Sequence, residues 1–236
     1  MTIHDSPFDS AHYELTIGKL EIGSGEELEP SILEARARQL DVVFLRVSEA
    51  NSSVTSALAE RGLAPLETLV TSTLGTAPAP SVLTNPAIAI SHHDTLSPNE
   101  AAIIGEITAE AITGTHLHAD PRLPVGRTNR LYAAWGRNDA LGRAHKTILA
   151  RAAGEIVGYI AVLLSDRVAV IDLVAVKATW RGSRVGSALL QSFIEWVRGA
   201  ELDARVGTQS DNPALGLYRR FGFIPSERQS TYHLWL

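Results

Sequence analysis

The 236-residue chain contains no cysteine. That excludes disulfides, thiolate metal sites and a cysteine acyl-enzyme. No window approaches about 18 uncharged apolar residues, so no membrane-spanning helix is expected. The start, MTIHDSPFDSAHYEL, has no basic region followed by an apolar run. No signal peptide is therefore expected, and a cytoplasmic protein is the default. The phosphate loop that needs Gly-Lys-Ser/Thr is missing, and so is an early Gly-x-Gly-x-x-Gly of the dinucleotide type. Net charge is only −5. It gives no reason to expect a nucleic-acid partner, yet it does not bar a small anionic ligand, because local loops decide that.

What is present is an ordinary globular composition, 45% hydrophobic and 20% charged. Its length suits one large domain or two small ones. GTAPAPSVLTNP (75–86) is rich in proline and small polar residues, which is linker chemistry. It predicts an amino-terminal αβ domain over 1–76, a linker over 77–86 and a larger domain over 87–236. In the first part, residues 29–40 have helical spacing, VVFLRV reads as a buried strand, NSSVTSALAERGL as a capped helix and ETLVTSTL as a strand. In the second part, AIAISHH is a strand, and Ser97-Pro98-Asn99-Glu100 predicts a capping box. A helix over roughly 124–138 follows, then three antiparallel strands over 146–176 and a helix over about 183–199. ARVGTQ is a strand, Asn212-Pro213 opens a helix ending at Gly222, and FIPSE and STYHLWL finish as turn and strand. RGLAP (61–65) resembles FGFIP (221–225), each after a helix that follows a β-branched strand. The first part then reads as a degenerate, non-catalytic copy of the last quarter, with Leu58 in the place of Tyr218. Chance likeness of two αβ units is the other reading.

The stretch VAVKATWRGSRVGSALL (174–190) carries the chemistry. An apolar strand runs into a loop of Arg181, Gly182, Ser183, Arg184 and then straight into a helix through Val185, Gly186 and Ser187. A helix amino terminus presents unpaired N–H groups and partial positive charge. Glycines allow close backbone approach, and a pyrophosphate suits such a nest. If the strand before the loop splays from its neighbour, Leu173, Val174, Ala175 and Val176 expose an edge with which an extended amide-bearing chain can pair. A polar strand–helix turn with charged surface residues is the alternative.

The order of elements around this loop resembles the GCN5-related N-acetyltransferases (GNAT). Their Arg/Gln-x-x-Gly-x-Gly/Ala pattern is read here as Arg181-Gly182-Ser183-Arg184-Val185-Gly186, with Arg184 standing at the family's first Gly. QSDNPALGLYRRFGF (209–223) looks like the family's segment in which an Asn precedes a helix bearing a Tyr and ending in Gly-Phe. The resemblance covers about 87–236. It implies a mixed, mostly antiparallel α/β sheet flanked by helices, acetyl-CoA as cosubstrate, Asn212 on the pantetheine arm and Tyr218 facing the thiol. THLHADPRLP and LYAAWGRND (within 115–139) add a narrower resemblance to nucleotide amino-sugar N-acetyltransferases of the TDP-fucosamine type. The acceptor implied is an amine on a nucleotide-linked deoxysugar.

Direct transfer in a ternary complex is the simplest chemistry without cysteine. A backbone N–H near Leu173 and Val174 meets the developing oxyanion, and Tyr218 serves the leaving thiolate. Full proton transfer from a phenol of pKa about 10 to a thiol of about 8.5 is uphill by about 2 kcal/mol, so tuning or hydrogen bonding is required. The other role open to Tyr218 is helix core. Asp172, mid-strand between Ile171 and Leu173, is the first candidate for the base that takes the ammonium proton; a solvated strand face is its alternative. His118, Asp120, Arg122, Tyr132 and Trp135 are the candidate acceptor residues. Arg127 and Arg130 join Arg122 as either an anion-binding face or a solvated one. His116-Leu117-His118-Ala119-Asp120 has ligand spacing but no third nitrogen or sulfur close by, so a turn is preferred and no metal is expected. His233 and Trp235 read as packing or acceptor-rim residues. The expected partners are acetyl-CoA and a small-molecule amine, with no nucleic acid and no membrane; a homodimer is allowed. Another small amine, amino acid or antibiotic as acceptor, and a non-catalytic acyl-CoA sensor, remain as alternatives.

Overall fold

The computed structural model describes residues 1–77 and 85–236. In chain order the elements are β1 (Thr2–Asp5), α1 (Pro7–Tyr13), β2 (Ile17–Glu21), α2 (Leu28–Ala37), β3 (Val42–Ser48), α3 (Ser52–Glu60), β4 (Glu67–Leu74) and β5 (Ile88–His93). Then come α4 (Pro98–Ala111), α5 (His116–Ala119), α6 (Val125–Asn138), a wide turn at Asp139–Arg143, β6 (Lys146–Ala152), β7 (Glu155–Ser165) and β8 (Val168–Val176). The chain ends with α7 (Val185–Gly199), β9 (Asp203–Gln209), α8 (Ala214–Arg220) and β10 (Phe223–Trp235). This is a mixed α/β fold whose sheet is mostly antiparallel. Residues 78–84 of the expected linker lie outside the described residues.

Local chemistry accounts for the main helices. At α4 the Ser97 hydroxyl accepts from Glu100 N at 3.4 Å, and a Glu100 carboxylate oxygen accepts from Ser97 N at 3.0 Å. The capping box is thus formed, with Pro98 in the first turn where its missing N–H is harmless. In α7, Val185, Leu189, Phe193 and Val197 recur at helical spacing and are all buried.

The chain divides into two compact units, and they do not follow the expected boundary. The first comprises Met1–Val70, Gly114–Thr128 and Glu227–Leu236; the second comprises Thr71–Thr113 and Asn129–Ser226. Strand pairing is the reason for the difference. β10 runs antiparallel to β3 from Gln229↔Ser48 to Trp235↔Val42, so the carboxyl-terminal strand belongs with the amino-terminal residues. Nor do FIPSE and STYHLWL separate into turn and strand. β10 is continuous, and near its start the Ser226 hydroxyl donates to Thr71 O at 3.2 Å and meets the Thr73 hydroxyl at 3.3 Å.

In the first unit, which takes β4 as far as Val70 and β10 from Glu227, the strand order is β1-β2-β3-β10-β4, with β2 and β3 parallel. Its core holds Leu28, Ile32, Val43, Leu45, Val54, Leu58, Tyr232 and Leu234. In the second unit the order is β9-β8-β7-β6-β5, antiparallel except between β8 and β9. β7 is buried from Ile156 through Val162, the pattern of a strand covered on both faces. One cover is the cluster of Ile160, Leu189, Phe193, Tyr218, Phe221 and Phe223; the other contains Ile104, Ile107, Tyr159, Ala161 and Leu173.

Candidate active site

The parallel pair β8–β9 holds together only at its start. Pairing runs from Val168↔Asp203 to Ile171↔Val206, while β8 continues to Val176 and β9 to Gln209. Among the described residues, the last five of β8 therefore have no ladder partner on the β9 side. On the other side β7 pairs Ala161 with Leu173 and Val162 with Ile171, which leaves Asp172 as the extra residue of a β-bulge. A bulge bends its strand and re-aims a side chain. Leu173 and Ala175 face the core, and Val174 and Val176 are half-buried.

The open strand leads into the Arg/Gly loop. Gly182 has φ +80° with open space around it. Arg184 has φ +65°, the left-handed region that disfavours any residue with a Cβ. This is the position where the family pattern has Gly. The first i→i−4 bond of α7 is from Ala188 N to Arg184 O at 3.0 Å, so the amides of Val185, Gly186 and Ser187 lie ahead of it. Arg181 and Arg184 are exposed, and neither forms an ion pair among the described residues. Packing fixes the helix head. A Cβ on Gly158 would lie 2.9 Å from Ala175 O and 3.0 Å from a Val185 methyl, so β7 needs glycine there. Gly186 faces Leu217 of α8.

The two residues implied by the resemblance are differently placed, Asn212 just ahead of α8 and Tyr218 within it. Asn212 uses its carbonyl oxygen to accept from Ala214 N at 2.9 Å, and its amide donates to Gln209 at 3.4 Å. Tyr218 is buried and meets the Phe223 ring edge-on at 5.9 Å between centroids. Burial pushes its hydroxyl pKa up. That keeps a phenol, makes complete proton transfer to a thiolate harder and favours hydrogen-bond donation.

Asp172 is not alone. Trp135 Nε1 donates to its Oδ2 at 2.8 Å, and the Arg143 guanidinium bonds the same oxygen. Arg143 Nε also donates to Asp139 Oδ1 at 2.6 Å. Trp135 stacks near-parallel on Tyr132, with centroids 5.8 Å apart. Asp139 is fully buried, and its carboxyl is pushed up to about 7, first by burial and then by the charge of Asp172. Asp139 and Arg143 escaped the sequence reading. Their i,i+4 spacing was visible, but nothing local announces a contact with a strand about 30 residues further on.

The remaining candidates, Arg130 excepted, belong to the first unit. Asp120 is buried and accepts from His233 Nδ1 at 2.7 Å, Trp235 Nε1 at 2.8 Å, Arg122 N at 3.0 Å and Arg122 Nε at 3.2 Å. Burial pushes its pKa up, but these bonds outweigh it and hold the carboxyl at about 2. His233 Nε2 in turn meets His116 Nδ1 at 2.7 Å, and the His233 ring stacks on Phe44. His118 Nδ1 bonds the Thr115 hydroxyl at 2.9 Å. Arg127 donates to Tyr13 O at 2.6 Å and pairs with Glu14, while Arg130 is exposed. His118, Asp120 and Arg122 thus lie in one unit, Tyr132 and Trp135 in the other. Among the described residues no group of three or more His, Asp or Glu is arranged to hold a metal ion, and no helix is long and apolar enough to cross a membrane.

Comparison with known proteins gives this geometry a family. Residues 109–223 match the acetyltransferase (GNAT) family, and the chain carries a GNAT acetyltransferase domain. Domains of this family take acetyl-CoA as cosubstrate. The chain is 33% identical over 140 residues to the spore coat polysaccharide biosynthesis protein SpsD of Bacillus subtilis, covering 58% of this chain and 48% of that protein. It thus spans about half the length of that relative. Among solved structures, a GCN5-related N-acetyltransferase from Sphaerobacter thermophilus shares the fold at a TM-score of 0.65 and 16% identity, over 99% of this chain and 75% of that one. A tandem GNAT protein from the clavulanic acid biosynthesis pathway does so at 0.62 and 17%, over 93% and 75%.

Proposed function

We propose that this protein is an acetyl-CoA-dependent N-acetyltransferase that acetylates a primary amine of a small molecule by direct transfer. The observation that carries the reading is the run of β8 residues released from β9, continuing directly into a loop with two uncommitted arginines at the head of α7. The backbone edge of Leu173, Val174, Ala175 and Val176 pairs with the pantetheine amides. The amides of Gly182 and of Arg184 to Ser187 hold the pyrophosphate, while Ser183 N is committed to Trp180 O and Arg181 and Arg184 add charge. Asn212, already fixed by its bonds to Ala214 and Gln209, closes the pantetheine side. A backbone N–H at the bulge near Leu173 and Val174 faces the charge that develops on the carbonyl oxygen. Tyr218 donates a hydrogen bond to the departing sulfur, and Asp172 takes the acceptor's proton.

For the acceptor, a nucleotide-linked amino-deoxysugar is the first choice, with the stacked Tyr132 and Trp135 as a wall for a sugar ring. The name of the Bacillus subtilis relative, a polysaccharide biosynthesis protein, supports a sugar. The residues before the linker form a non-catalytic αβ part. Calorimetry with acetyl-CoA and CoA, followed by thiol release against nucleotide amino-sugars, amino acids and aminoglycosides, tests the whole reading. Binding with amine-dependent release is expected. Binding without release across the panel would favour a sensor; no binding would remove the loop assignment.

A further inference from the structure

The proposed transfer leaves the buried carboxyl of Asp139 unused. It and Asp172 are served by a single guanidinium, that of Arg143, so two carboxylates face one cation. Asp139 Oδ1 takes the Arg143 bond, whereas Asp139 Oδ2 is buried and has no hydrogen-bond partner among the described residues. The nearby hydroxyls do not serve it. Thr108 donates its proton to Ile104 O at 2.6 Å, so in its 2.6 Å contact with Tyr159 it is the acceptor and Tyr159 the donor. The Tyr159 proton is therefore committed. Meanwhile Arg143 draws the two carboxyls together, bonding Asp139 Oδ1 through Nε and Asp172 Oδ2 through a terminal nitrogen, and one shared proton relieves the repulsion between two carboxylates so placed.

We propose that Asp139 and Asp172 act as one base: they take up a single proton, shared between them, from the ammonium group of the acceptor. This rests on the N-acetyltransferase reading. Asp172 is the open end, its side chain 15% exposed at the bulge, and touches the amine; Asp139 is the positioning partner behind it. An N–H bond of the ammonium breaks and an O–H bond forms on Asp172, with Asp139 Oδ2 accepting the other side of that proton. The freed lone pair attacks the thioester, the C–N bond forms and the C–S bond breaks. The second N–H proton, lost as the amide forms, balances the one that sulfur gains. The pair then releases its proton to solvent through Asp172. Each cycle therefore liberates one proton.

Physical chemistry explains why two carboxylates do what one does not. A single carboxylate paired with a guanidinium is in general a weak base, because the pair holds its charge. A second buried carboxylate sharing the same cation raises the affinity of the pair for one proton towards the working pH, where a base is most effective. The charged and titratable groups facing Asp139 are Arg143 on its own turn, Asp172 on β8 and Tyr159 on β7. α4 brings Thr108, with Glu106 and Glu110 exposed. β6 begins with Lys146, paired to Asp94, and just before it the His145 ring accepts from Leu164 N.

Two measurements test the pair. In the first, carboxyl carbons of labelled aspartate are followed by NMR against pH in the wild-type protein. Two resonances moving together near neutrality, both altered in Asp139→Asn, are expected; no aspartate titrating above about pH 5 would overturn the proposal. In the second, kcat and KM are measured against pH for wild type and Asp139→Asn with the best acceptor from the panel. The variant is expected to lose kcat by about 10²-fold, shift the acid limb to lower pH and keep its acetyl-CoA KM. An unchanged rate and acid limb in Asp139→Asn would also overturn it. The NMR arm needs no turnover. A shared proton in a protein that acetylates nothing would sink the enzymatic reading and with it the base, whereas acetylation without a titrating pair would sink the base alone.

Discussion

Both units contain a parallel strand pair joined by a helix, and the pairs differ in how far the strands stay together. β2 pairs with β3 over residues 17–20 of a strand that ends at Glu21. β8 pairs with β9 over 168–171 and then runs on, unpaired on that side, to Val176. The loops differ in the same sense. Ahead of α2 the chain supplies its own anion, since Glu27 accepts from Gly23 N at 2.7 Å. Ahead of α7 stand Arg181 and Arg184, with no carboxylate on the loop. After each pair a helix follows: α3 with buried Leu58 and Gly62 at φ +71°, α8 with buried Tyr218 and Gly222 at φ +89°. A similar scaffold thus carries its own carboxylate on the loop ahead of the helix in one unit and exposed arginines on that loop in the other.

The sharpest way to break this comparison is to exchange chemistry at the helices. Tyr218→Phe should reduce kcat by roughly 10²-fold or more and leave acetyl-CoA affinity within about twofold, as expected of a lost donor in the transition state. Steady-state kinetics with calorimetry reads both. Equal rates for the wild type and Tyr218→Phe would return this residue to packing alone. Leu58→Ala should instead destabilise the first unit by about 2–5 kcal/mol through a core cavity, while acetyl-CoA affinity stays as it was. Chemical denaturation checks the first expectation. A change in affinity would deny the division of labour.

How much of this was legible in the sequence follows from the range of the interactions. The capping box at Ser97, the apolar face of α7 and the Arg/Gly loop are local patterns, and each is where the residues announced it. The composition of the first unit was not legible. The pairing of β10 with β3 joins residues nearly two hundred positions apart, and alternating burial in a strand does not name its partner. The same limit applied at the site. Asp172 stood out as a carboxylate between apolar neighbours, but its bulge, Arg143 and Asp139 are products of the fold. His116, His233 and Asp120 were each noticed separately and became one chain of hydrogen bonds only in three dimensions.

The two units should also respond oppositely to pH. Asp120 is held below its usual value of 3.8, so its stabilisation is full above that value and is lost as pH falls towards about 2; it amounts to about 2 kcal/mol. His116 is kept neutral, first by burial and then by the neighbouring His233, and burial likewise lowers His233 despite Asp120. Stability from these rings is full above about pH 6.5 and declines as pH falls below it. Asp139 has the reverse sign. Its pKa is raised, so its contribution is full below the unfolded value and is lost as pH rises through about 7. Hydrogen exchange at acid, neutral and alkaline pH should show protection in β3 and β10 falling on the acid side, and around Asp139 on the alkaline side. Parallel loss of protection in both units would contradict the assignment.

The smallest effect concerns Arg184, where the second unit departs from the glycine of the family pattern. Its φ of +65° costs a residue with a Cβ about 1 kcal/mol relative to glycine. Arg184→Gly should therefore raise stability by somewhat under about 1 kcal/mol, because glycine also enlarges the freedom of the unfolded chain. If the guanidinium faces the pyrophosphate, the same change should weaken acetyl-CoA binding several-fold and flatten its salt dependence, as loss of a partly screened charge does. Arg184→Ala separates the two effects, since it keeps the backbone strain and removes the charge. Calorimetry at two salt concentrations with both variants reads the outcome. Weaker binding in both, with higher stability only in the glycine variant, is expected. Unchanged binding in both would leave the pyrophosphate to the α7 amides and Arg181, and the second unit would then differ from the first by its open strand more than by its second arginine.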